Sequence, residues 1–390
     1  MLSGHNIICF SNDWDQDPLS KHHLIKRLSR KNRILWINSI GLRKPTLHGK
    51  DIAKIGAKLN KFFKGHVRVK ENIDVISPLV IPLHSNRLAR KINRLLLLKQ
   101  VIYYQNRFKY TDPILWTFLP NVDFLLGAFN EKLSVYHITD DFTQFTGYPS
   151  ESIMAMEREL INNCDVIIAS AQNLADKKAF DGKEINVVSH GVEHDVFSGA
   201  LRMSRDEWPR DIRDKTRPII GFYGEINDWL DLEMLARAAK KRPEWSFVLI
   251  GRIAMEVGNI DYLLDISNVH WLGQKNYKQL PAYCSAFDVA LIPMKINELT
   301  LNVNPLKLRE YLAAGVPVVS ASLPEVKPYR DIVEFADNHE DLIAKIEILL
   351  KRDRLQSAPL LSERVANESW DSKVENVSEI IERAINTMRL

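Results

Sequence analysis

The amino-acid sequence predicts an α/β protein of two Rossmann-like domains, on three observations. Apolar runs of strand length alternate with amphipathic or polar stretches through both halves, a charged and poorly periodic stretch breaks the pattern near the middle, and 390 residues suffice for two or three full cores. In the first half the runs are NIICFS, RILWIN, LSVYHI, DVIIAS and INVVSH. In the second they are PIIGFY, SFVLIG, NVHWLG, DVALIP and VPVVS. Such alternation suits parallel sheets covered by helices on both faces. The interruption, SGALRMSRDEWPRDIRDKTRP over 198–218, reads as the join, giving domains over 1–197 and 198–369 and a terminal helix over 370–390.

The stretch NVNPLKLREYLAAGVPVVSAS, from Asn302, reads as one helix–strand unit. Asn304 is expected as N-cap, Pro305 at the first helical position, Gly315 at the stop and Val316–Ser320 as a buried parallel strand. Leu308, Tyr311 and Leu312 supply a packing face. Lys307 and Glu310, three residues apart, share another face. A lysine beside the positive end of a helix suits a phosphate, and a carboxylate one turn further in can take both hydroxyls of a ribose. The alternative is an ordinary surface ion pair.

In doubly wound sheets ligands gather beyond the carboxyl ends of the strands. The residues following the expected strands are Gly224 and Glu225, Gly251 and Arg252, then Gly273, Gln274, Lys275 and Asn276; a longer loop leads through Asn302, Asn304 and Leu306 to Lys307. In the first half His137, Asp140 and Asp141 follow one strand, and His190, Gly191 and Val192 follow the last. No G-x-G-x-x-G follows the first strand of either half and no G-x-x-x-x-G-K-[ST] occurs, which disfavours a dinucleotide dehydrogenase and a P-loop enzyme.

Composition narrows the setting. The sequence has no apolar stretch long enough to span a bilayer and no signal-peptide pattern at its start, so a cytoplasmic location is expected. Cys9, Cys164 and Cys284 read as buried, reduced thiols. The net charge of +4 hides an asymmetry: residues 41–110 carry sixteen Lys or Arg against three Asp or Glu, a balance of +13 that leaves −9 for the remainder. Within that region KDIAKIGAKLNKFF is a basic amphipathic helix, and RLARKINRLLLLKQVIYY, from Arg87, joins basic residues to leucines and paired tyrosines. Both suit the anionic inner face of the cell membrane, the alternative being solvated helix faces. Nucleic acid is disfavoured, because the aromatic residues do not form a stacking platform. The acids of DWDQD, Asp13 to Asp17, are expected to cap the helix near Ser20 rather than to hold a divalent metal.

These motifs together resemble the GT-B nucleotide-sugar glycosyltransferases of bacterial surface polysaccharide assembly. HGVEHDVF is similar to the family's H/N-G-V-D-x-x-x-F, GFYGEINDWLDLEML to its glycine turn and helix, and NPLKLREYLAAGVPVV to its A-x-G-x-P-V region. In the large retaining family two glutamates eight positions apart precede that motif; Glu310 matches the second, and Asn302 stands where the first would be. The Arg and Lys that often follow the first C-domain strand are replaced by Glu225 and Asp228. SNDWDQDPLSKHHLIKRL and YHITDDF resemble the inverting glucuronosyltransferase of xanthan assembly, which implies that Asp140 is the catalytic base, with His137 as the alternate.

The resemblance implies two domains facing a central cleft, with the C-terminal helix packing back on the N-domain and His190 and Gly191 lining the cleft. It implies a nucleoside diphosphate sugar, UDP-linked, with Glu310 on the ribose, Lys307 and Arg252 near the pyrophosphate, and the base near Trp271 and Gly273 to Lys275. It further implies a saccharide or lipid-linked acceptor and transfer without a metal cofactor. A UDP-sugar epimerase of the same fold, a catalytically silent nucleotide-binding subunit and a membrane-associated scaffold are the competing readings.

Overall fold

The computed structural model describes residues 1–16, 18–41, 56, 60–81, 86–180 and 182–388. The chain forms two compact units, Met1–Ser189 with Lys373–Leu390, and His190–Ser372.

The first unit is built on an eight-stranded sheet. Its strands are β1 (Asn6–Phe10), β2 (Arg33–Ile37), β3 (His66–Lys70), β4 (Ile73–Ile76), β5 (Ile114–Thr117), β6 (Leu133–Ile138), β7 (Val166–Ala169) and β8 (Asn186–Val187), in the order β3-β4-β2-β1-β5-β6-β7-β8. All neighbours are parallel except the β3–β4 pair. The helices are α1 (Ser20–Leu28), α2 (Arg87–Arg107), α3 (Ser150–Asn163) and α4 (Gln172–Lys178). Strand order reverses between β1 and β5, so the chain ends after those strands diverge and leave a crevice. The strands β3, β4 and β5 go beyond the runs expected from sequence. ILWT of β5 is a fully buried central strand, but at four residues between a helix end and Pro120 it is too short to register as a separate run.

The second unit carries a six-stranded parallel sheet: β9 (Ile219–Tyr223), β10 (Ser246–Ile250), β11 (Val269–Trp271), β12 (Val289–Ile292), β13 (Val318–Ser320) and β14 (Glu334–Phe335), in the order β11-β10-β9-β12-β13-β14. Here the reversal lies between β9 and β12. The covering helices are α5 (Leu232–Lys241), α6 (Leu280–Ala286), α7 (Leu306–Ala313), α8 (His339–Leu350) and α9 (Arg354–Arg364). Strands β9, β10 and β12 are buried at every residue, as expected for Ile- and Val-rich strands covered on both faces.

Two boundaries differ from the sequence-based expectation. The stretch 198–218 is not a join: Trp208 and Ile212 are buried in the second unit's core, and short helical turns occupy 198–213. His190–Phe197 also belongs to that unit, since Val192 bridges Ser369 and Phe197 is fully buried in the same core. The last helix, α10 (Trp370–Met388), ends in the first unit, where Val374, Val377, Ile381 and Ile385 form one stripe packed with Leu2, Ile7 and Trp36. The basic segment 50–63 lies outside the described residues except for 56 and 60–63.

Candidate functional site

In the second unit the strand ends at the β9/β12 reversal carry the family-like residues. Strand β9 stops at Gly224 (φ +139°) and β10 at Gly251 (φ +147°), backbone angles that favour glycine. The two turns touch so closely that a Cβ on Gly251 would collide with the carbonyl oxygen of Gly224. A Cβ on Gly224 would come within 2.9 Å of Cε and 3.2 Å of Nζ of Lys307. The lysine therefore lies directly over a bare backbone turn. Its ammonium stands 5.5 Å from the centre of the Phe222 ring and, among the described residues, forms no ion pair or hydrogen bond. Burial lowers its pKa, against the opposing pull of Glu310. A partly desolvated cation with unused donors is prepared for an anion.

Glu310 lies one turn along α7 and is 7% exposed. Its Oε2 accepts a hydrogen bond of 2.7 Å from the Tyr223 hydroxyl, which burial and then the Glu310 charge keep protonated. The backbone N–H of Tyr223 in turn donates to the Tyr311 hydroxyl at 2.9 Å, and the two rings meet edge to face at 4.8 Å. These contacts clamp α7 onto β9 and fix the spacing of Lys307 and Glu310.

The start of α7 departs from expectation. Pro305, not Asn304, occupies the N-cap, and β13 begins at Val318. Asn304 instead donates to Glu325 (2.8 Å) and accepts from Arg309 (2.7 Å), whose Nε pairs with Glu368 (2.6 Å). Asn302 is buried and donates to the Glu298 carbonyl at 2.6 Å. Both asparagines thus hold the loop that delivers α7. Leu306 is the first residue of that helix and is partly buried.

Several expected donor residues are engaged within the protein. Arg252 pairs with Glu225, which also accepts from Asn227 at 3.1 Å. Lys275 pairs with Asp211 at 2.6 Å and lies over the Tyr283 ring. Gly273 (φ +70°) accepts from the Gly251 N–H at 2.9 Å, Gln274 is exposed, and the half-exposed Trp271 donates its indole N–H to Gly251 at 2.8 Å. His190 is buried 6.0 Å from the Trp370 ring, and a Cβ on Gly191 would stand 2.8 Å from the Trp370 backbone nitrogen. In this unit both residues pack the chain against 369–370.

In the first unit the loop after β6 divides its two acids. Asp141 is buried, accepts from the Thr143 backbone and hydroxyl, and pairs with Lys178 at 2.7 Å and Lys177 at 3.1 Å. Burial acts to raise its pKa, yet Lys178 prevails and the net shift is downward. Lys178 also pairs with Glu157 at 2.6 Å, and Glu157 accepts from the Tyr136 hydroxyl at 2.9 Å. Asp141 is therefore the structural acid. Asp140 remains half-buried, its Oδ2 accepting from the Thr139 hydroxyl at 2.9 Å.

His137 is enclosed between Phe118 (5.0 Å) and Trp116 (6.1 Å), with Nδ1 buried and unpartnered. Burial, aided by Lys21, pushes its pKa down to about 3. So weak a base is a poor acceptor for a hydroxyl proton. The acids of DWDQD do not cap α1: Asp13 and Asp15 pair with Lys61 at 2.9 and 2.8 Å, and Asp13 accepts from the Ser39 N–H at 3.1 Å. Asp17 lies outside the described residues.

Residues 217–352, which span β9 to α8 and contain Gly224, Lys307 and Glu310, match the family Glycosyl transferases group 1. TuaH of Bacillus subtilis (strain 168), assigned provisionally to teichuronic acid biosynthesis as a glycosyltransferase, is 29% identical over 276 residues, 66% of this chain and 68% of TuaH. Among solved structures, sucrose-phosphate synthase from Thermosynechococcus elongatus superposes with a TM-score of 0.72 at 14% identity, over 98% of this chain and 100% of that one. Anabaena HepE in complex with UDP and glucose gives 0.67 at 12% identity, over 97% and 100%. The chain is a glycosyltransferase of the GT-B fold.

Sequence reading of this glycosyltransferase missed three side chains that shape its strand ends. Tyr223 and Phe222 sit in the strand next to expected Gly224, and their alternation along β9 is the signal: Tyr223 reaches Glu310 while Phe222 lies under Lys307. Lys21 is the third. It stands in the first turn of α1, where the helix dipole disfavours a cation, and that breach of a local rule was readable from the sequence.

Proposed function

We propose that this glycosyltransferase moves a sugar from a UDP-linked donor to a saccharide or lipid-linked acceptor during assembly of a surface polysaccharide, at the inner face of the cell membrane. The observation that carries the donor assignment is the Lys307 ammonium, poised over the Gly224 turn with no ion pair or hydrogen bond among the described residues and one turn from Glu310. In this reading Lys307 and neighbouring backbone amides meet the diphosphate and Glu310 meets the ribose, so no metal ion is required. Asp140 accepts the proton of the acceptor hydroxyl as its oxygen attacks the anomeric carbon, and Lys307 stabilises the charge on the departing diphosphate. The UDP held by HepE supports the donor class, and TuaH's assignment to teichuronic acid biosynthesis supports the setting.

Calorimetric titration of UDP, GDP and ADP, with a chelator present, tests the donor site. Selective UDP binding is expected, unchanged by the chelator. No binding of any nucleotide would sink the reading, and conversion of a UDP-sugar to an isomer without acceptor would replace transfer by epimerisation.

Helix α2 supports the membrane part. Leu88 (67% exposed), Leu95 (61%) and Tyr103 (55%) line its outward face with Ile92, and Lys91, Lys99 and Arg107 flank them. Each basic residue near an anionic surface contributes about 1 kcal/mol. Among the described residues no helix is long and apolar enough to cross a membrane. The protein is expected to sediment with anionic vesicles at low salt, and Leu88→Glu with Leu95→Glu to release it. Equal sedimentation with neutral vesicles would count against the electrostatic part.

A further inference from the structure

The last residue of β9 breaks the character of its strand. IIGFY is buried at every position, yet it ends on a tyrosine, and a hydroxyl taken out of water costs stability unless it finds a partner. The partner of Tyr223 is Glu310 of α7: the hydroxyl donates to Oε2 at 2.7 Å, with Tyr223 4% and Glu310 7% exposed. Burial, and then the charge of Glu310, hold the proton on Tyr223, so the hydroxyl is a lasting donor. A glutamate otherwise turns about several bonds. Tying one of its oxygens to the sheet limits how the carboxylate can turn.

Tyr223 is itself firmly placed. Its backbone N–H donates to the Tyr311 hydroxyl at 2.9 Å, and its ring meets the Tyr311 ring edge to face at 4.8 Å. The Tyr311 ring lies 6.4 Å from that of Phe287, which fills the room left by Gly221, two residues before Tyr223 on β9. A Cβ at 221 would collide with the Phe287 ring. Three rings thus wedge α7 against β9, and the one hydroxyl among them that reaches Glu310 belongs to the strand, not to the helix.

We propose that Tyr223 is the positioning residue that gives Glu310 its discrimination for a ribose: by holding Oε2 it keeps the carboxylate in an orientation that accepts both hydroxyls of the nucleotide's sugar ring. A carboxylate has about four lone-pair sites, so one bond from Tyr223 is compatible with two from a ribose. The proposal rests on the reading of Glu310 as the ribose ligand. Tyr223 acts through Glu310 and lowers the cost of ordering it when a nucleotide binds.

The test is calorimetric titration of the full chain with UDP, 2′-deoxy-UDP and 3′-deoxy-UDP, in wild type, Tyr223→Phe, Tyr311→Phe and Glu310→Ala. Wild type is expected to prefer UDP over either analogue by about tenfold or more, the usual effect of a hydrogen bond to a charged group. Tyr223→Phe keeps the ring against Tyr311, and that preference should shrink by roughly two- to tenfold, because an untied side chain must be ordered on binding. Glu310→Ala should remove the preference. Tyr311→Phe loses the other hydroxyl of the stack while keeping the bond from Tyr223 to Glu310, so it should leave the ratio between nucleotides as it is in wild type. Ratios are taken well below each variant's melting temperature, so that stability lost with a hydrogen bond does not enter them. A preference in Tyr223→Phe as large as in wild type overturns the proposal, whether the three nucleotides weaken together or not at all, and so does an equal loss of preference in Tyr311→Phe. If wild type binds UDP and both analogues alike, the ribose reading of Glu310 has failed first, an outcome visible before any variant is made.

Discussion

Replacing Asp140 by asparagine is expected to lower kcat by about 10²–10⁴-fold, the usual contribution of a general base, while UDP affinity stays within a factor of two or so of wild type. The substitution keeps the shape of the side chain and its acceptor for the Thr139 hydroxyl, so the loop has no reason to move. That loop is anchored independently by Asp141 through Lys177, Lys178 and Thr143. A folded Asp140→Asn protein that turns over normally would exclude the residue as base. The companion Asp141→Asn separates the roles: it weakens a buried ion-pair network that also holds Glu157, and its effect should fall on melting temperature.

The second large effect is expected at Lys307. In Lys307→Met the alkyl stem still covers Phe222 and Gly224, but the charge is gone. If the ammonium stabilises the leaving diphosphate, kcat should fall on the order of 10²–10³-fold, as when one preorganised donor is removed from a charge-developing site. Nucleotide binding should weaken as well, in line with a lost charge-assisted contact of roughly 1.5–3 kcal/mol. Because this lysine forms no ion pair or hydrogen bond among the described residues, its removal breaks no salt bridge, and stability should change little beyond the loss of its attraction to Glu310. Normal turnover in the variant would rule out the diphosphate role.

The fold was largely legible because burial on both faces writes its signature into consecutive Ile and Val residues, as in PIIGFY and DVALIP. Boundaries were less so. Charge density made 198–218 look like a join, yet two residues within it, Trp208 and Ile212, decide the matter by entering the core. For the site, spacing alone placed Lys307 and Glu310 on one face. It could not show that Arg252 and Lys275 are neutralised by Glu225 and Asp211, residues distant in sequence. Of the two acids at 140–141 only the resemblance named Asp140; that its neighbour Asp141 is engaged by the lysines of α4 could not be read from the sequence.

Because α10 completes the core of the first unit after the polypeptide has already built the second, the second unit is an insertion, entered after Ser189 and left before Lys373. A single cut cannot release two finished halves. A fragment ending at Ser189 would present to water the ground on which Val374, Val377, Ile381 and Ile385 rest, and each such side chain contributes about 1.5–3 kcal/mol when fully buried, against a total stability of about 5–15 kcal/mol for a typical protein. During synthesis the first unit must therefore wait for residues 374–385, so completion of the first unit reports that the second has already been made.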